Sequence, residues 1–330
     1  MFSPERESPI QTLHMSPKLV TVVGATGTQG GTVIAALASD TNYKLRGLTR
    51  NPNSPKAREL KDKGVEVVGA DISDLASLKD AFAGSYAVYG VTDFVRLLGE
   101  HDIETAIRVE ASQGKNIAQA ALDTTSLQHF IWSTLPNASE VSGGQFFLPN
   151  FAGKSQVDEF IRSHSDLAAK TTFIFITQYH SNYSYDPLSM YLIPTAHSYV
   201  QFTTHPPDTP IYTIGDVRRN LGPFVKPILE QPDKTKGNIV MAHVEVVTAE
   251  ESLQIWAKVK GVKAISVPVS VELLHALWGK YADVLGVMWR YWAAVGDKSW
   301  SANGKTVLTK DDLGVQGLIS LAESFEDYEL

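Results

Sequence analysis

A glycine-rich segment near the amino terminus has the spacing of a phosphate-binding turn. It reads Gly24-Ala-Thr-Gly27-Thr-Gln-Gly30 and lies between an apolar run, Leu19 to Val23, and a stretch with helical spacing of apolar residues. Glycine permits the positive φ of a tight turn and leaves room where backbone meets a pyrophosphate. The amides that begin the following helix carry the positive end of its dipole. Spacing and context together predict a dinucleotide site, whereas the glycines alone would also fit a purely structural turn.

The end of the second predicted strand indicates which dinucleotide binds. NAD sites usually place a carboxylate there, where it accepts a hydrogen bond from the ribose 2′-hydroxyl. Here the strand ends Leu48-Thr49-Arg50, and the first carboxylate beyond it is Glu59. A guanidinium can hold a 2′-phosphate with two parallel bonds and stack on adenine, and Lys56 is close enough in sequence to assist. We therefore expect NADP(H), with a solvated loop arginine as the alternative.

Three further polar residues follow strands at the same edge of the predicted sheet. Asp71 follows the third strand, where it either bonds the adenine amine or caps the turn before Asp74. Thr92 and Asp93 end the fourth strand, where the nicotinamide-side ribose of a bound dinucleotide would pass. All three are candidate cofactor residues, and Asp71 stays open between its two roles.

These residues need a scaffold that brings strand ends together, and residues 18–135 have the pattern of one. Apolar strand-like runs alternate with amphipathic helical stretches, which is typical of βαβ units and a parallel sheet. The predicted strands cover residues 19–23, 44–49, 65–70, 86–92 and 129–133. A helix over 154–163 and a β-branched run over 171–177 continue the pattern. The fold class is therefore α/β, a Rossmann-type doubly wound parallel sheet.

Beyond about residue 180 the chain changes to short segments rich in tyrosine and proline. We expect a flexible leader over 1–17, an NADP(H)-binding domain over 18–180, and a smaller mixed α/β lobe over 181–330 that forms a substrate pocket or a partner surface. Whether the chain returns from this lobe to the sheet is left open. The lobe contains a capping box, Thr248-x-x-Glu251, and one long predicted helix over 271–295.

Composition excludes several classes of protein. The chain of 330 residues has no cysteine and a formal charge of −7. Disulfides, zinc–thiolate sites and cysteine nucleophiles are thereby excluded, and we expect a cytoplasmic protein, with the nucleus as a second compartment. The negative charge argues against direct nucleic-acid binding. No apolar run is long enough for a bilayer and no histidine spacing is that of a metal site, so we expect neither membrane nor metal.

Several motifs resemble those of the NmrA-like family, an atypical branch of the short-chain dehydrogenase/reductase fold. They are the glycine turn, Leu-Thr-Arg-Asn-Pro over 48–52, Gly-Val-Glu-Val-Val-x-x-Asp over 64–71, and Asn-Phe-Ala-Gly-Lys-Ser-Gln-Val-Asp-Glu-Phe over 150–160. The likeness covers most of the chain and is strongest up to about residue 185. The family includes NADP(H)-sensing regulators, among them a fungal repressor of nitrogen-metabolism transcription, and oxidoreductases of secondary metabolism.

The resemblance also implies roles for individual residues. The pyrophosphate would be held by Thr26, Gly27, Thr28, Gln29 and Gly30. Lys154 would approach the nicotinamide ribose, and the segment Gln178-Tyr179-His180-Ser181 would border the nicotinamide.

Catalysis of the ordinary kind in this fold would need a Ser, Tyr and Lys set. Ser133 and Lys154 are present, but Asn150 stands four residues before the lysine, where Tyr-x-x-x-Lys spacing places the phenol. An amide is no acid at neutral pH. Two interpretations remain. One is a reductase whose proton comes from Lys154, Tyr179, His180 or an ordered water. The other is a non-catalytic NADP(H) sensor that acts through a protein partner of transcription-factor type.

We favour the reductase, acting on a small hydrophobic or aromatic carbonyl- or imine-type substrate, because the lobe has material for a pocket. The aromatic residues that could wall it are Trp278, Trp289, Tyr291, Trp292 and Trp300. Core and interface packing of a long helix is the alternative for these side chains. A scaffold protein with a vestigial pocket is a third interpretation, and a homodimer is left open.

Overall fold

The computed structural model describes residues 16–327 of the chain. The leader predicted over residues 1–17 therefore lies almost entirely outside the described residues, and the first strand begins at Lys18. The strands are β1 (Lys18–Val22), β2 (Tyr43–Thr49), β3 (Glu66–Gly69), β4 (Ala87–Gly90), β5 (His129–Thr134), β6 (Thr171–Ile176), β7 (Gln178–Tyr179), β8 (Tyr191–Ile193), β9 (Ser198–Thr203), β10 (Pro210–Gly215), β11 (Ile239–Ala242), β12 (Glu245–Thr248), β13 (Lys263–Pro268) and β14 (Val307–Leu308).

Helices connect these strands, together with short 3₁₀ turns over 180–184, 194–196 and 296–298. The α-helices are α1 (Thr28–Leu37), α2 (Pro55–Asp62), α3 (Leu75–Phe82), α4 (Phe94–Glu100), α5 (Ile103–Asp123), α6 (Ala138–Val141), α7 (Pro149–Ser163), α8 (Ser165–Ala168), α9 (Val217–Glu230), α10 (Pro232–Thr235), α11 (Ala249–Lys260), α12 (Val271–Trp278), α13 (Lys280–Val295), α14 (Lys310–Leu313) and α15 (Leu321–Glu326).

Eight strands form one sheet in the order β14-β11-β6-β5-β4-β1-β2-β3, and every neighbouring pair in it is parallel. The chain moves outward from β1 to β3, returns to the other side of β1, and moves outward again from β4. This doubly wound order, with two smaller mixed sheets, confirms the predicted fold class. In such sheets ligands bind outside the carboxyl ends of the strands, where the order reverses.

Both faces of the sheet are covered, because side chains along each strand alternate between two cores. On β5, Phe130 and Trp132 pack in a core with α3, α5 and α7, whereas Ile131 packs in the core with α1 and α9. All three side chains are almost fully buried. Each contributes about 1.5–3 kcal/mol relative to an exposed side chain, so the strands below the site are anchored in both cores.

The chain returns to the large sheet after residue 180. β11 pairs with β6, and β14 pairs with β11, so that the carboxyl-terminal half supplies two strands of the sheet. Helix α9 also returns and packs against α1 at Gly222, where an added Cβ would lie 2.5 Å from the Cβ of Ala36. Two mixed sheets, β12-β10-β7 and β13-β9-β8, complete this half.

The prediction of a single long helix over 271–295 is wrong. The structure has two helices there, α12 and α13, because Gly279 between them has φ 55° and ψ −134°. Only glycine reaches this region of backbone conformation without strain. The break lets the two helices pack against each other. The capping box predicted at Thr248 and Glu251 is confirmed at the start of α11.

The close contact of α5 with α7 depends on the glycine at position 114. A Cβ on Gly114 would lie 2.5 Å from Val157 Cγ2 and 3.1 Å from the ring of Trp132, all in the core. Gly114→Ala is therefore expected to destabilise the fold by about 1–3 kcal/mol, measured by denaturant unfolding. Gly286→Ala is the control, because its Cβ would meet Leu274 only at 4.0 Å. Equal losses in the two variants would contradict the packing argument.

Candidate functional site

A cavity of about 1230 Å³ opens at the carboxyl ends of the parallel strands. It exceeds the roughly 300–1,000 Å³ of most small-ligand pockets, so it has room for a dinucleotide and a second molecule. The predicted site residues that line it are Gly24, Thr26, Gly27, Thr28, Gln29, Gly30, Arg50, Lys56, Asp71, Thr92, Asp93, Ser133, Lys154, Gln178 and Tyr179. The fold therefore brings together residues that are far apart in sequence, from Gly24 to Tyr179.

The glycine turn has the shape of a phosphate cradle. Gly24 has φ +66°, and the amide of Gly27 donates to the Gly24 carbonyl oxygen over 2.8 Å. A Cβ on Gly30 would lie 2.3 Å from that same oxygen, so a side chain there would fill the turn. Helix α1 begins directly behind Gly27, which provides no side-chain cap for the first amides of the helix. Those uncapped amides fit a bridging pyrophosphate.

The exposed part of the cavity wall holds the predicted adenosine-side residues. Arg50 and Lys56 are both exposed and line the cavity. Asp71 is exposed too, and its carboxylate accepts from the Ser73 amide over 2.8 Å. The turn-capping role considered for Asp71 is thus present, while its contact with adenine stays a prediction. Two exposed cations, Arg50 and Lys56, stand at this end of the cavity, while the Asp71 carboxylate is bonded within its own turn. This end of the cavity is therefore suited to a negatively charged group such as a phosphate.

Lys154 lies in a mostly buried part of the cavity wall. Its Nζ donates to Thr92 Oγ1 over 2.9 Å and to the backbone carbonyl oxygen of Ser133 over 3.2 Å. The same ammonium lies 5.4 Å from the ring centroid of Trp132. Asn150, one turn earlier on α7, also lines the cavity. Three residues predicted from separate segments of the sequence are therefore in direct contact.

Glu110 on α5, which was not predicted, balances the charge of this lysine. Its Oε1 accepts from Thr92 Oγ1 over 2.8 Å and lies 3.7 Å from Lys154 Nζ. Burial raises the pKa of Glu110, and Lys154 and the Thr92 hydroxyl oppose that rise. A signal was present in the sequence, since Glu110 occupies the buried face of α5 with Ala106 and Gly114. Glutamate is almost never fully buried unless it is paired.

Gln29 is held between two tyrosines. The Tyr89 hydroxyl donates to Gln29 Oε1 over 2.8 Å, and Gln29 Nε2 donates to the Tyr179 hydroxyl oxygen over 2.6 Å. Burial raises the pKa of Tyr179 to about 12 against the opposing hydrogen bond from Gln29. Tyr179 therefore keeps its proton at neutral pH, and because Gln29 occupies only an oxygen lone pair, that proton is available to a bound group.

His180 and Ser181 are not brought to the other predicted residues. Neither lines the cavity, because a 3₁₀ turn begins at His180. The Nδ1 atom of His180 lies 3.0 Å from the Gly215 carbonyl oxygen, and its ring packs edge-on against Phe325. The position of His180 therefore gives no support to its predicted role as a proton donor.

The aromatic residues of the carboxyl-terminal half divide between cavity and core. Trp292 and Trp300 line the cavity with Phe151 and Met288, near Asn150. The other predicted aromatics pack elsewhere: Trp278 against Tyr191 and Phe202, Trp289 against His205, and Tyr291 through a hydroxyl that donates to the Ser299 carbonyl oxygen over 2.9 Å. Only part of the predicted aromatic set can therefore contact a ligand in this cavity.

Two negative findings apply to residues 16–327. No helix in that range has both the length and the apolar composition needed to cross a bilayer. In the same range, no three His, Asp or Glu side chains are grouped so that they could hold a metal ion.

A sequence profile of the NmrA-like family matches residues 16–305. The NmrA-like family domain-containing oxidoreductase hkm9 of Aspergillus hancockii is 28% identical over 257 residues, which cover 75% of this chain and 74% of that protein. An NmrA-like family domain-containing protein of Dictyostelium discoideum is 31% identical over 273 residues, 81% of this chain and 84% of that one.

A solved structure has the same fold over almost its whole length. It is NmrA, a negative transcriptional regulator, in complex with NADP. It matches with a TM-score of 0.74 at 18% identity, covering 95% of this chain and 96% of that chain.

Proposed function

Because the chain belongs to the NmrA-like family, we propose that it is an NADP(H)-binding oxidoreductase. The observation that carries this proposal is that one cavity is lined both by the glycine turn and by a buried lysine with its counter-charge. A phosphate cradle alone would serve binding only. A buried lysine in the same cavity adds a side chain with N–H donors beside the cofactor site.

The cofactor would be held along the strand ends. The turn over 24–30 and the first amides of α1 would bind the pyrophosphate, and Arg50 with Lys56 would bind the 2′-phosphate. The ribose and nicotinamide end would be held by Thr92, Asp93, Lys154, Gln178 and Tyr179. When bound, a reduced nicotinamide supplies a hydride to an electrophilic carbon. Support comes from the structural likeness to a protein solved with NADP.

Lys154 is the best-placed proton donor in the proposal. An ammonium has three N–H donors, and Thr92 and Ser133 accept from two directions, which leaves one donor for a group in the cavity. Such a donor would give its proton to the oxygen or nitrogen that gains negative charge during reduction. Tyr179 is the second candidate, although burial raises its pKa to about 12 and so makes it the weaker acid.

The substrate end of the cavity is apolar and aromatic. Its walls include Phe151, Met288, Trp292 and Trp300, and the amide of Asn150 lies beside Met288. Flat apolar molecules bury well against such surfaces. The proposed substrate is therefore a small hydrophobic or aromatic carbonyl or imine.

One observation favours a second function. Asn150 stands where the short-chain dehydrogenases have their acidic tyrosine, and an amide cannot donate a proton in this way. A sensor that binds NADP(H) and signals through a protein partner would need no such acid. The likeness to a transcriptional regulator fits this alternative as well. It predicts tight cofactor binding without turnover.

Calorimetric titration with NADPH, NADP, NADH and NAD tests the binding site. Arg50→Ala is expected to weaken NADPH and NADP binding by about tenfold to a hundredfold, because hydrogen bonds to a charged group are lost. Binding of NADH and NAD, which lack the 2′-phosphate, is expected to weaken far less.

Arg58→Ala serves as the control, since Arg58 is an exposed arginine of α2 that does not line the cavity. Unchanged NADPH affinity in Arg50→Ala would reject the 2′-phosphate contact. If the wild-type protein bound none of the four dinucleotides, the proposed function would fail. The interpretation as a scaffold protein with a vestigial pocket would then remain.

A further inference from the structure

Two opposite charges are buried together in the cavity wall. The side chain of Lys154 is 10% exposed and that of Glu110 is 0% exposed. They are bridged by the Thr92 hydroxyl, which accepts from Lys154 Nζ and donates to Glu110 Oε1. A buried amine readily loses its proton unless a negative charge lies close by, because burial disfavours the charged form.

We infer that Glu110 is a positioning residue that keeps Lys154 protonated and holds its ammonium against the cavity. This role rests on the proposed function, in which Lys154 donates a proton to the substrate. Through Thr92, Glu110 also fixes where the ammonium lies, since the one hydroxyl is bonded to both. A site without the usual tyrosine thereby retains a charged acid.

The fit of Glu110 against α7 supports this inference. A Cβ on Gly153 would lie 2.6 Å from Glu110 Oε2 and 3.1 Å from its Cβ, so only glycine at this position leaves room for the carboxylate. Among residues 16–327, Oε2 itself has no hydrogen-bond partner. Burial raises the pKa of Glu110, and the nearby Lys154 opposes that rise.

The other acidic groups near the pair do not replace Glu110. Asp93 is exposed, and its carboxylate caps α4 by accepting from the Arg96 amide over 3.1 Å. Asp158, one turn beyond Lys154 on α7, accepts the indole N–H of Trp132 over 2.8 Å. Burial raises the pKa of Asp158 to about 7, so it is only partly charged at neutral pH. Glu110 is the one of the three that is bonded into the Lys154–Thr92 cluster.

The inference is tested by acetylation of Lys154 with acetic anhydride in the intact protein, followed by mass spectrometry of its peptides. Neutral amines react and ammonium groups do not, so the ratio of the rate at about pH 10 to that at about pH 7 reports protonation independently of access. Glu110→Gln is expected to lower this ratio at Lys154 by at least about tenfold, because the amine then loses its proton nearer neutrality. An unchanged ratio would overturn the inference.

Two controls accompany this measurement. Glu104→Gln makes the same chemical change at an exposed position of α5 and is expected to leave the ratio at Lys154 unchanged. Lys115, also on α5, is the internal reference, and its ratio is expected to be the same in all proteins. A matching fall in the ratio at Lys154 in Glu104→Gln would overturn the inference, since the effect would then not belong to the buried pair.

Glu110→Gln leaves a buried cation unpaired, which is destabilising. If it does not fold, the double variant with Lys154→Met decides, because it leaves neither charge alone. The double variant is expected to fold and to melt above either single variant. If it melts no higher than they do, Glu110 has a packing role only and the inference fails.

Titration with NADPH keeps this inference separate from the proposed function. Acetylation involves no cofactor, so its outcome judges Glu110 alone. Failure of the wild-type protein to bind NADPH contradicts the proposed function, even where the acetylation ratio changes as expected.

Discussion

Gly30→Ala is expected to weaken NADPH binding by more than about 100-fold, because displacements of about 1 Å in a binding site can have effects of this size. A Cβ at this position would lie 2.3 Å from the carbonyl oxygen of Gly24, 2.6 Å from its carbonyl carbon and 2.9 Å from the carbonyl oxygen of Val23. All three are backbone atoms, so no change of side-chain rotamer relieves the contacts. The turn must open, and the first amides of α1 must move with it. Calorimetric titration with NADPH measures the loss.

Gly31→Ala is the matched control, one residue further along the same helix. Its Cβ would lie 3.4 Å from the Ala25 carbonyl oxygen, an ordinary contact. We expect unchanged affinity for NADPH and a gain in stability of about 0.5–1 kcal/mol, since alanine favours the helix over glycine. Thermal unfolding of both variants checks that each is folded. A folded Gly30→Ala protein with wild-type affinity would contradict the phosphate cradle.

Lys154→Met is expected to reduce turnover by about 10²–10⁴, the usual contribution of a positioned general acid. Methionine retains the apolar stem of the side chain but has no proton to donate. Binding of NADPH is expected to change far less, because the pyrophosphate and the 2′-phosphate are held by other residues. The measurement is NADPH oxidation, followed by absorbance, with a panel of aromatic aldehydes, ketones and imines.

Lys154→Arg separates proton transfer from electrostatic stabilisation. A guanidinium keeps the positive charge and donates hydrogen bonds, but it does not release a proton at neutral pH. Turnover is therefore expected to stay low in this variant as well. Wild-type turnover in Lys154→Arg would show that charge alone suffices. Wild-type turnover in Lys154→Met would move the donor role to Tyr179 or a water.

The same assay decides between enzyme and sensor. A wild-type protein that binds NADPH tightly but oxidises it with no member of the panel behaves as the sensor interpretation requires. That result would explain why position 150 is Asn and not an acidic tyrosine, since a sensor needs no proton donor there. Turnover that depends on Lys154 supports the reductase.

Local features of the sequence were sufficient for much of the fold and the phosphate end of the site. The five strands predicted in the first 135 residues are present, as is the capping box at Thr248. These features depend on side-chain periodicity, on turn conformation and on bonds between near neighbours. Gly24, Gly27 and Gly30 lie in one turn of the chain, so their spacing alone defines their geometry.

Other features depend on contacts between distant segments and were missed. The short helix α4 was not predicted, and neither was α9, which contains Pro223 and Pro227. A proline in a helix interior normally breaks the helix, so packing of α9 against α1 outweighs local preference here. The break at Gly279 was missed for a related reason, because an isolated glycine within an apolar pattern is also compatible with an unbroken helix.

From its own order of residues, the chain determines a doubly wound sheet and a turn made for phosphate, because both arise among neighbours in sequence. Only the folded protein decides that Glu110 faces Lys154, that His180 turns away from the cavity, and that Trp292 and Trp300 line it while Trp289 does not. The physical reason is that each of these depends on how two elements pack. The role of a charged side chain on one helix depends on the residues of the helix that packs against it. The spacing of residues within one segment does not specify the distance between two helices.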